Sequence, residues 1–255
     1  MTSQLITGIK QLVTNTNIGD GLLGVVDDAA LVVDAGRVAW VGAASAAPSA
    51  DSVLDVAGRA VIPGFVDSHA HMVFAGDRAD EFAARMAGES YSAGGIRRTM
   101  TLTRAATDDE LRRQCARLVG EMHESGITHL EIKSGYGLTA ADELRAIRIA
   151  REFTEDVTLL AAHVVPPEFE SDRAAYIDLI INEMLPEARG IARWVDVFCD
   201  RGAFSIEETR SIFSAAEGFG LRLHGNQLER RETVSLLAEF DVASMDHCTH
   251  MIDAD

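Results

Sequence analysis

The chain has 255 residues, 47% hydrophobic and 25% charged, a balance typical of a globular protein with enough apolar material for a core. A net charge of −17 argues against nucleic acid or an anionic membrane as a partner, because both require basic patches. No apolar run approaches the roughly 18 residues that span a bilayer, and the N-terminus lacks a signal-peptide pattern. The scattered cysteines Cys115, Cys199 and Cys248 form no CxxC pair, so we expect a cytoplasmic protein.

The first part of the chain predicts short strands joined by turns. Two β-rich runs flank Ala35-Gly36, which is a hairpin signal, and a second turn is predicted at 55–58. We therefore assign residues 1–59 to a small β-rich domain and residues 60–255 to a second domain.

From about residue 100 the pattern alternates between helices and strands. Capping boxes at 107–110 and 205–208 predict two helix starts, and Thr139 predicts another. Amphipathic helices are also predicted at 171–189 and 232–240. The predicted strands are 61–67, 127–133, 157–163, 194–199, 221–225 and 241–247. Such alternation implies an α/β fold with parallel strands and crossover helices.

Two architectures fit six parallel strands. A (β/α)8 barrel needs eight strands and about 250 residues, so six strands would be an incomplete barrel. An open doubly wound sheet could be complete with six. The position of the polar residues discriminates between them.

Polar residues recur where the predicted strands end. They are Asp67, His69 and His71, then Lys133 and Tyr136, then His163, Asp200, His224 and His247. A single histidine at such a position is usually a satisfied core or loop residue. Repetition at successive strand ends instead favours a barrel, in which these ends converge on the face that carries active sites.

His69 and His71 form the sharpest local feature. Alternate residues of a strand point to the same side, so an H-x-H pair directs two imidazoles at one point, as Zn or Fe sites require. The pair lies in the longer frame Asp55-x-x-Gly58-x-x-Val61-x-Pro63-Gly64-Phe65-Val66-Asp67-x-His69-x-His71. This frame resembles the amidohydrolase superfamily of metal-dependent hydrolases.

Further motifs, in the family's order along the chain, resemble the imidazolonepropionase family. They are HMVFAGDR (71–78), EIKSGYGL (131–138), AHVVPP (162–167), VDVFC (195–199), HGNQL (224–228) and Asp246-His247. The resemblance implies a (β/α)8 TIM-barrel of the amidohydrolase type, with about six of eight βα units present. It also implies hydrolysis of the cyclic amide of 4-imidazolone-5-propanoate to N-formimidoyl-L-glutamate by a metal-activated water, in histidine degradation.

The same resemblance implies a role for each site residue. The implied ligands of one Zn or Fe ion are His69, His71 and His224. The implied substrate contacts are Arg78 for the propanoate carboxylate and Tyr136, His163 and Gln227 for the ring. His247 is implied as the catalytic residue that polarises the scissile carbonyl or shuttles a proton.

The sequence departs from the family at one point, which leaves alternatives open. The family's metal-binding aspartate, at the end of an eighth strand, has no counterpart here, and we expect a truncated chain that forms a homo-oligomer, a dimer. One alternative is another amidohydrolase, either a cyclic-amide hydrolase or an aromatic deaminase. The other is a non-catalytic, metal-binding partial barrel.

Overall fold

The computed structural model describes residues 2–77, 79–87 and 94–253. The chain divides into two compact units, Met1–Phe65 and Val66–Asp255. The second unit contains the histidines of interest and most of the buried apolar side chains.

The first unit is a five-stranded sheet. Strands β1 and β2, and β2 and β3, pair antiparallel, whereas β4 and β5 both pair parallel to β1. Its strands are β1 (Gln4–Val13), β2 (Val25–Asp34), β3 (Arg37–Ala43), β4 (Ser52–Asp55) and β5 (Ala60–Val61). The hairpin predicted at Ala35-Gly36 is confirmed: both residues have positive φ, 50° and 75°, which a two-residue type I′ turn requires. A small core of Ile9, Leu12, Ala29 and Leu31 packs on one face.

The second unit is built on parallel strands. The pairing order is β12-β11-β10-β9-β8, with β6 paired to β7. The strands are β6 (Phe65–Asp67), β7 (Ile127–Leu130), β8 (Ile132–Lys133), β9 (Val157–Ala162), β10 (Trp194–Cys199), β11 (Gly220–Gly225) and β12 (Val242–His247). Every residue of β9 is buried, as expected for a parallel strand covered on both faces. The predicted parallel α/β fold is confirmed.

The strand predicted at 127–133 is interrupted at Glu131. Its first half, β7, pairs with β6, and its second half, β8, pairs with β9. The Glu131 N–H donates to the Asp67 carbonyl at 2.8 Å, so the segment still links the strands on either side.

Helices follow the strands in the second unit. They are α1 (Ala79–Met86), α2 (Gly94–Ala105), α3 (Asp108–Glu124), α4 (Ala140–Arg151), α5 (Arg173–Leu179), α6 (Leu185–Ala188), α7 (Ile206–Ala215) and α8 (Val234–Glu239). Both predicted capping boxes are confirmed, at the starts of α3 and α7, and Thr139 caps α4. Over the described part of the chain, no helix combines the length and apolarity that a bilayer crossing demands.

The single helix predicted at 171–189 is wrong in one respect. A π-helical turn, Ile180–Met184, separates α5 from α6. Pro186 lies in α6, directly after this turn. A proline ring excludes the carbonyl four residues earlier, and the wider turn accommodates that clash.

The capping box of α7 gives a stability prediction. Ser205→Ala removes the acceptor for the Glu208 N–H and should lower the free energy of unfolding by about 1 kcal/mol. Ser211→Ala, on an exposed position inside the same helix, is the matched control and should change it by less than ~0.5 kcal/mol. Urea unfolding followed by circular dichroism measures both. Equal effects of the two substitutions would contradict a capping role for Ser205.

Candidate metal centre and active site

Three imidazoles meet where the parallel strands end. His69 and His71 follow β6, and His224 lies near the end of β11. One ring nitrogen from each residue lies within 4.8 Å of the others. The Nε2 atoms of His69 and His71 are 3.2 Å apart. The three predicted metal ligands are therefore brought together from two separate parts of the chain.

Two aspartates contact the Nδ1 atoms of two of these rings. Oδ2 of Asp246 lies 2.8 Å from Nδ1 of His69, and Oδ2 of Asp196 lies 2.9 Å from Nδ1 of His224. The second contact is close but departs from the angle of an aligned hydrogen bond. A carboxylate beside Nδ1 favours the tautomer with its proton on that atom, which leaves the Nε2 lone pair available to a metal.

An unpartnered nitrogen atom supports a cation at this point. Nε2 of His224 is buried and has no hydrogen-bond partner among the described residues. Buried polar atoms are rarely left unpaired in folded proteins. A Zn or Fe ion suits imidazole donors, so the residues present fit a metal.

His247 joins the cluster through an unusual backbone conformation. Its neighbour Asp246 points at His69, so regular strand alternation would send the next side chain to the other side. A φ of +72° at His247 breaks that alternation, and its ring lies 5.0 Å from the rings of both His69 and His224. Partial burial, with His224 and His69 nearby, lowers its pKa to about 4, so the ring is neutral near pH 7.

Tyr136 and His163 line the same cluster. The His163 ring stacks on His71 with centroids 5.3 Å apart, and the Tyr136 ring is 5.5 Å from His163 and 5.7 Å from His71. Nδ1 of His163 is 2.9 Å from the Gly135 carbonyl. That hydrogen bond places a proton on Nδ1 and makes Nε2 an acceptor in the neutral ring.

A buried carboxylate that the sequence did not single out shapes the loop carrying Tyr136. Glu143, on α4, accepts hydrogen bonds from the backbone N–H groups of Gly135, Gly137 and Leu138 at 2.8 to 3.0 Å. Burial raises the pKa of Glu143, although these donors oppose the effect. The spacing from SGYG to this glutamate carries no recognisable motif, so only the folded chain shows the link.

Of the two other predicted substrate contacts, the structure describes Gln227. Gln227 is half-buried just after β11, and its backbone N–H donates to the buried Asp200 at 2.7 Å. Asp200 also accepts from the Leu228 N–H and so holds the loop in place. Arg78 lies outside the described residues.

A cluster of buried charges lies next to the imidazoles, and sequence reasoning missed its role. Nζ of Lys133 is 2.9 Å from Glu131, 2.8 Å from Asp196 and 3.2 Å from Asp246. Burial acts to lower the pKa of Lys133, but Asp196 and Glu131 outweigh it and raise the pKa. Burial likewise opposes ionisation of Asp196, yet His224 and Lys133 hold its pKa below the usual range. The only sequence signal was charge inside otherwise apolar strands.

Comparison with solved structures defines the class of fold. Guanine deaminase from C. acetobutylicum matches with a TM-score of 0.59 at 13% identity, over 99% of this chain and 64% of that one. A triazine hydrolase from Arthrobacter aurescens matches with a TM-score of 0.57 at 17% identity, over 94% and 58%. The chain therefore shares its fold with these two proteins.

Sequence comparison identifies the family within that class. An imidazolonepropionase from Salinispora tropica is 55% identical over 257 residues, and one from Mycolicibacterium smegmatis is 55% identical over 258. Both matches cover all of this chain and 66% and 65% of the relatives, so the chain spans about two thirds of their length. A scan against protein-family models finds no match. The chain belongs to the imidazolonepropionase family.

The three hydrogen bonds that Glu143 accepts from the loop backbone give a second stability prediction. Glu143→Gln keeps the side-chain shape but replaces one accepting oxygen with an amide donor that faces backbone donors. We expect the free energy of unfolding to fall by about 2 kcal/mol, because buried donors lose their partner. Glu124→Gln, exposed at the end of α3, is the control and should change it by less than ~0.5 kcal/mol. Urea unfolding tests this. An unchanged midpoint for Glu143→Gln would show that these hydrogen bonds do not stabilise the folded chain.

The depressed imidazole pKa values give a pH prediction for the metal-free protein. Burial, with His163 and His224 nearby, lowers the pKa of His71, and that of His247 is about 4. Below about pH 6.5 the unfolded chain therefore binds protons that the folded chain does not. The free energy of unfolding should fall as the pH drops from about 6.5 toward 4.

Urea unfolding with a chelator present, at a series of pH values, measures this slope. His71→Asn should make it shallower, whereas His123→Asn, an exposed position in α3, should leave it unchanged. Stability that rises on acidification through this range would contradict the prediction.

Proposed function

We propose that this protein hydrolyses the ring C–N bond of 4-imidazolone-5-propanoate to N-formimidoyl-L-glutamate, a step of histidine degradation. The observation that carries the proposal is identity of 55% with imidazolonepropionases along the whole chain. The convergence of five imidazoles and Tyr136 at one edge of the parallel sheet supports it.

The site residues take the following roles in this proposal. His69, His71 and His224 hold one Zn or Fe ion, which when bound lowers the pKa of a water molecule and polarises a carbonyl. Tyr136, His163 and Gln227 bind the imidazolone ring, and Arg78 binds the propanoate carboxylate, for which a guanidinium is a suited bidentate donor.

His247 acts on the scissile carbonyl. Because the ring is neutral near pH 7, one nitrogen donates a hydrogen bond and the other accepts one. His247 can therefore polarise the carbonyl oxygen through its N–H. It can also take up a proton and deliver it to the departing ring nitrogen.

The finer architecture is part of the proposal. The parallel strands form about six of the eight βα units of a (β/α)8 barrel, and residues 1–59 belong to a small β-sandwich-like domain. A dimer in the cytoplasm is the proposed form. The likeness to amidohydrolase structures and the acidic, cysteine-poor composition support these assignments.

A substrate panel tests the activity. The purified protein is loaded with Zn or Fe and offered imidazolonepropanoate, guanine, cytosine and hydantoins, and loss of each compound is followed by absorbance. We expect turnover of imidazolonepropanoate alone. Activity only on the other compounds would assign another amidohydrolase, and bound metal without turnover would favour the non-catalytic alternative.

A matched pair of histidine variants links activity to the proposed ligands. His71→Ala should lower both metal content and turnover by more than about 100-fold, since even outer partners of metal ligands contribute about 10- to 100-fold. His123→Ala, exposed in α3, should preserve both. Full activity and full metal content in His71→Ala would reject the site.

A further inference from the structure

Lys133 lies at the centre of a buried ionic network. Its side chain is completely buried, and its ammonium contacts Oδ2 of Asp196 at 2.8 Å and Oδ2 of Asp246 at 3.2 Å. Glu131 completes the set at 2.9 Å. No motif or sequence pattern assigned this lysine a role in chemistry.

The two aspartate oxygens that contact the ammonium also contact imidazoles. Oδ2 of Asp246 is 2.8 Å from Nδ1 of His69, and Oδ2 of Asp196 is 2.9 Å from Nδ1 of His224. One continuous chain of contacts therefore runs from His69 through Asp246, Lys133 and Asp196 to His224. The ends of this chain are two of the three proposed metal ligands.

The ammonium supplies the charge balance that the pair of aspartates needs. Two carboxylates that share a buried site repel each other, and each is costly to bury without a counter-charge. Lys133 contacts both and so compensates both at once. Without it, the carboxylates would separate, draw in water or bind a proton. In each case their contacts with Nδ1 of His69 and Nδ1 of His224 would change.

We propose that Lys133 is a positioning residue of the metal centre, whose ammonium fixes Asp196 and Asp246 so that they hold His224 and His69 in the orientation and tautomer that bind metal. The proposal rests on the metal site assigned under the proposed function. It assigns Lys133 no contact with substrate. It makes the affinity for metal depend on a side chain that is not itself a ligand.

The same network contains a matched control. Arg222 is also a nearly buried cation, 8% exposed, and it contacts Glu131. Its other acidic contact is Asp156, at 3.6 Å, and neither acid touches a proposed ligand. Arg222→Met therefore removes a buried positive charge that has no ion pair with either of the aspartates that contact the imidazoles.

The test compares Lys133→Met with Arg222→Met in the 255-residue chain. Zn affinity is measured by competition with a chromophoric chelator, and the Co(II) derivative is followed by its visible spectrum. Lys133→Met should weaken Zn binding about 10- to 100-fold and alter the Co(II) spectrum. Arg222→Met should stay within about twofold of the wild type. Equal Zn affinities of Lys133→Met and the wild type would overturn the proposal.

A second measurement reads the imidazoles directly and needs no metal. Long-range ¹⁵N–¹H spectra of the metal-free protein report which ring nitrogen of His69 and His224 carries the proton. We expect the Nδ1–H form in the wild type and in Arg222→Met, and a mixture of forms in Lys133→Met. Unchanged tautomers in Lys133→Met would overturn the proposal even if the wild type bound no metal, an outcome that would separately reject the metal site.

If Lys133→Met does not fold, Asp246→Asn provides the same comparison. It keeps the size of the side chain while removing the charge between Lys133 and His69. Zn affinity should fall in the same range, about 10- to 100-fold. Thermal unfolding of each variant establishes that the folded protein is being compared, and a folded Asp246→Asn with wild-type affinity and tautomers would contradict the proposal.

Discussion

Side chains two residues apart on a strand face the same side of the sheet, and parallel strands bring those sides into layers. Arg222 and His224 are two residues apart along β11, so their side chains lie on the same side of the sheet. Asp196 pairs in register with Arg222, and Asp246 pairs with His224. This register places Asp246 level with His224, and the charged pair of Asp196 and Arg222 lies two residues earlier along the strands.

The chemistry of the imidazoles depends on these neighbouring charged side chains. Lys133 compensates Asp196 and Asp246, and these carboxylates contact the Nδ1 atoms of His224 and His69. The Nε2 atoms are then free of protons. That of His224 has no hydrogen-bond partner among the described residues. A cation would complete such a site, because a buried nitrogen lone pair is costly to leave without a partner and imidazole nitrogen is a suitable metal donor.

Buried carboxylates also set the loops around the cluster. Glu143 accepts three backbone N–H groups from the loop that carries Tyr136, and Asp200 accepts two from the loop that carries Gln227. Both loops leave the ends of strands, where the backbone has no ladder partner for these groups. The acids are thus structural elements of a site that they do not line.

Local signals in the sequence predicted most of the helices and strands and two of the candidate metal ligands. Capping boxes predicted the starts of α3 and α7, the alternation of strands and helices predicted parallel strands, and the H-x-H frame predicted a pair of candidate metal ligands. Each of these signals depends on residues a few positions apart. Three local predictions failed. The helix at 171–189 contains a π-helical turn before Pro186, and the strand at 127–133 is interrupted at Glu131. The strand predicted at 61–67 is divided between β5, which pairs with β1, and β6, which pairs with β7.

Only the tertiary structure decided how distant residues meet. The contacts of Lys133 with Asp196 and Asp246 span 63 and 113 positions, and nothing in the intervening sequence encodes them. The turn of His247 toward His69 depends on a positive φ at the end of β12, which strand periodicity does not predict. The sequence by itself indicated which residues have the chemistry to bind metal or substrate. The tertiary structure decided which ring nitrogens carry protons and how the side chains are oriented. Those preferences come from ion pairs and hydrogen bonds between strands that are far apart in the chain.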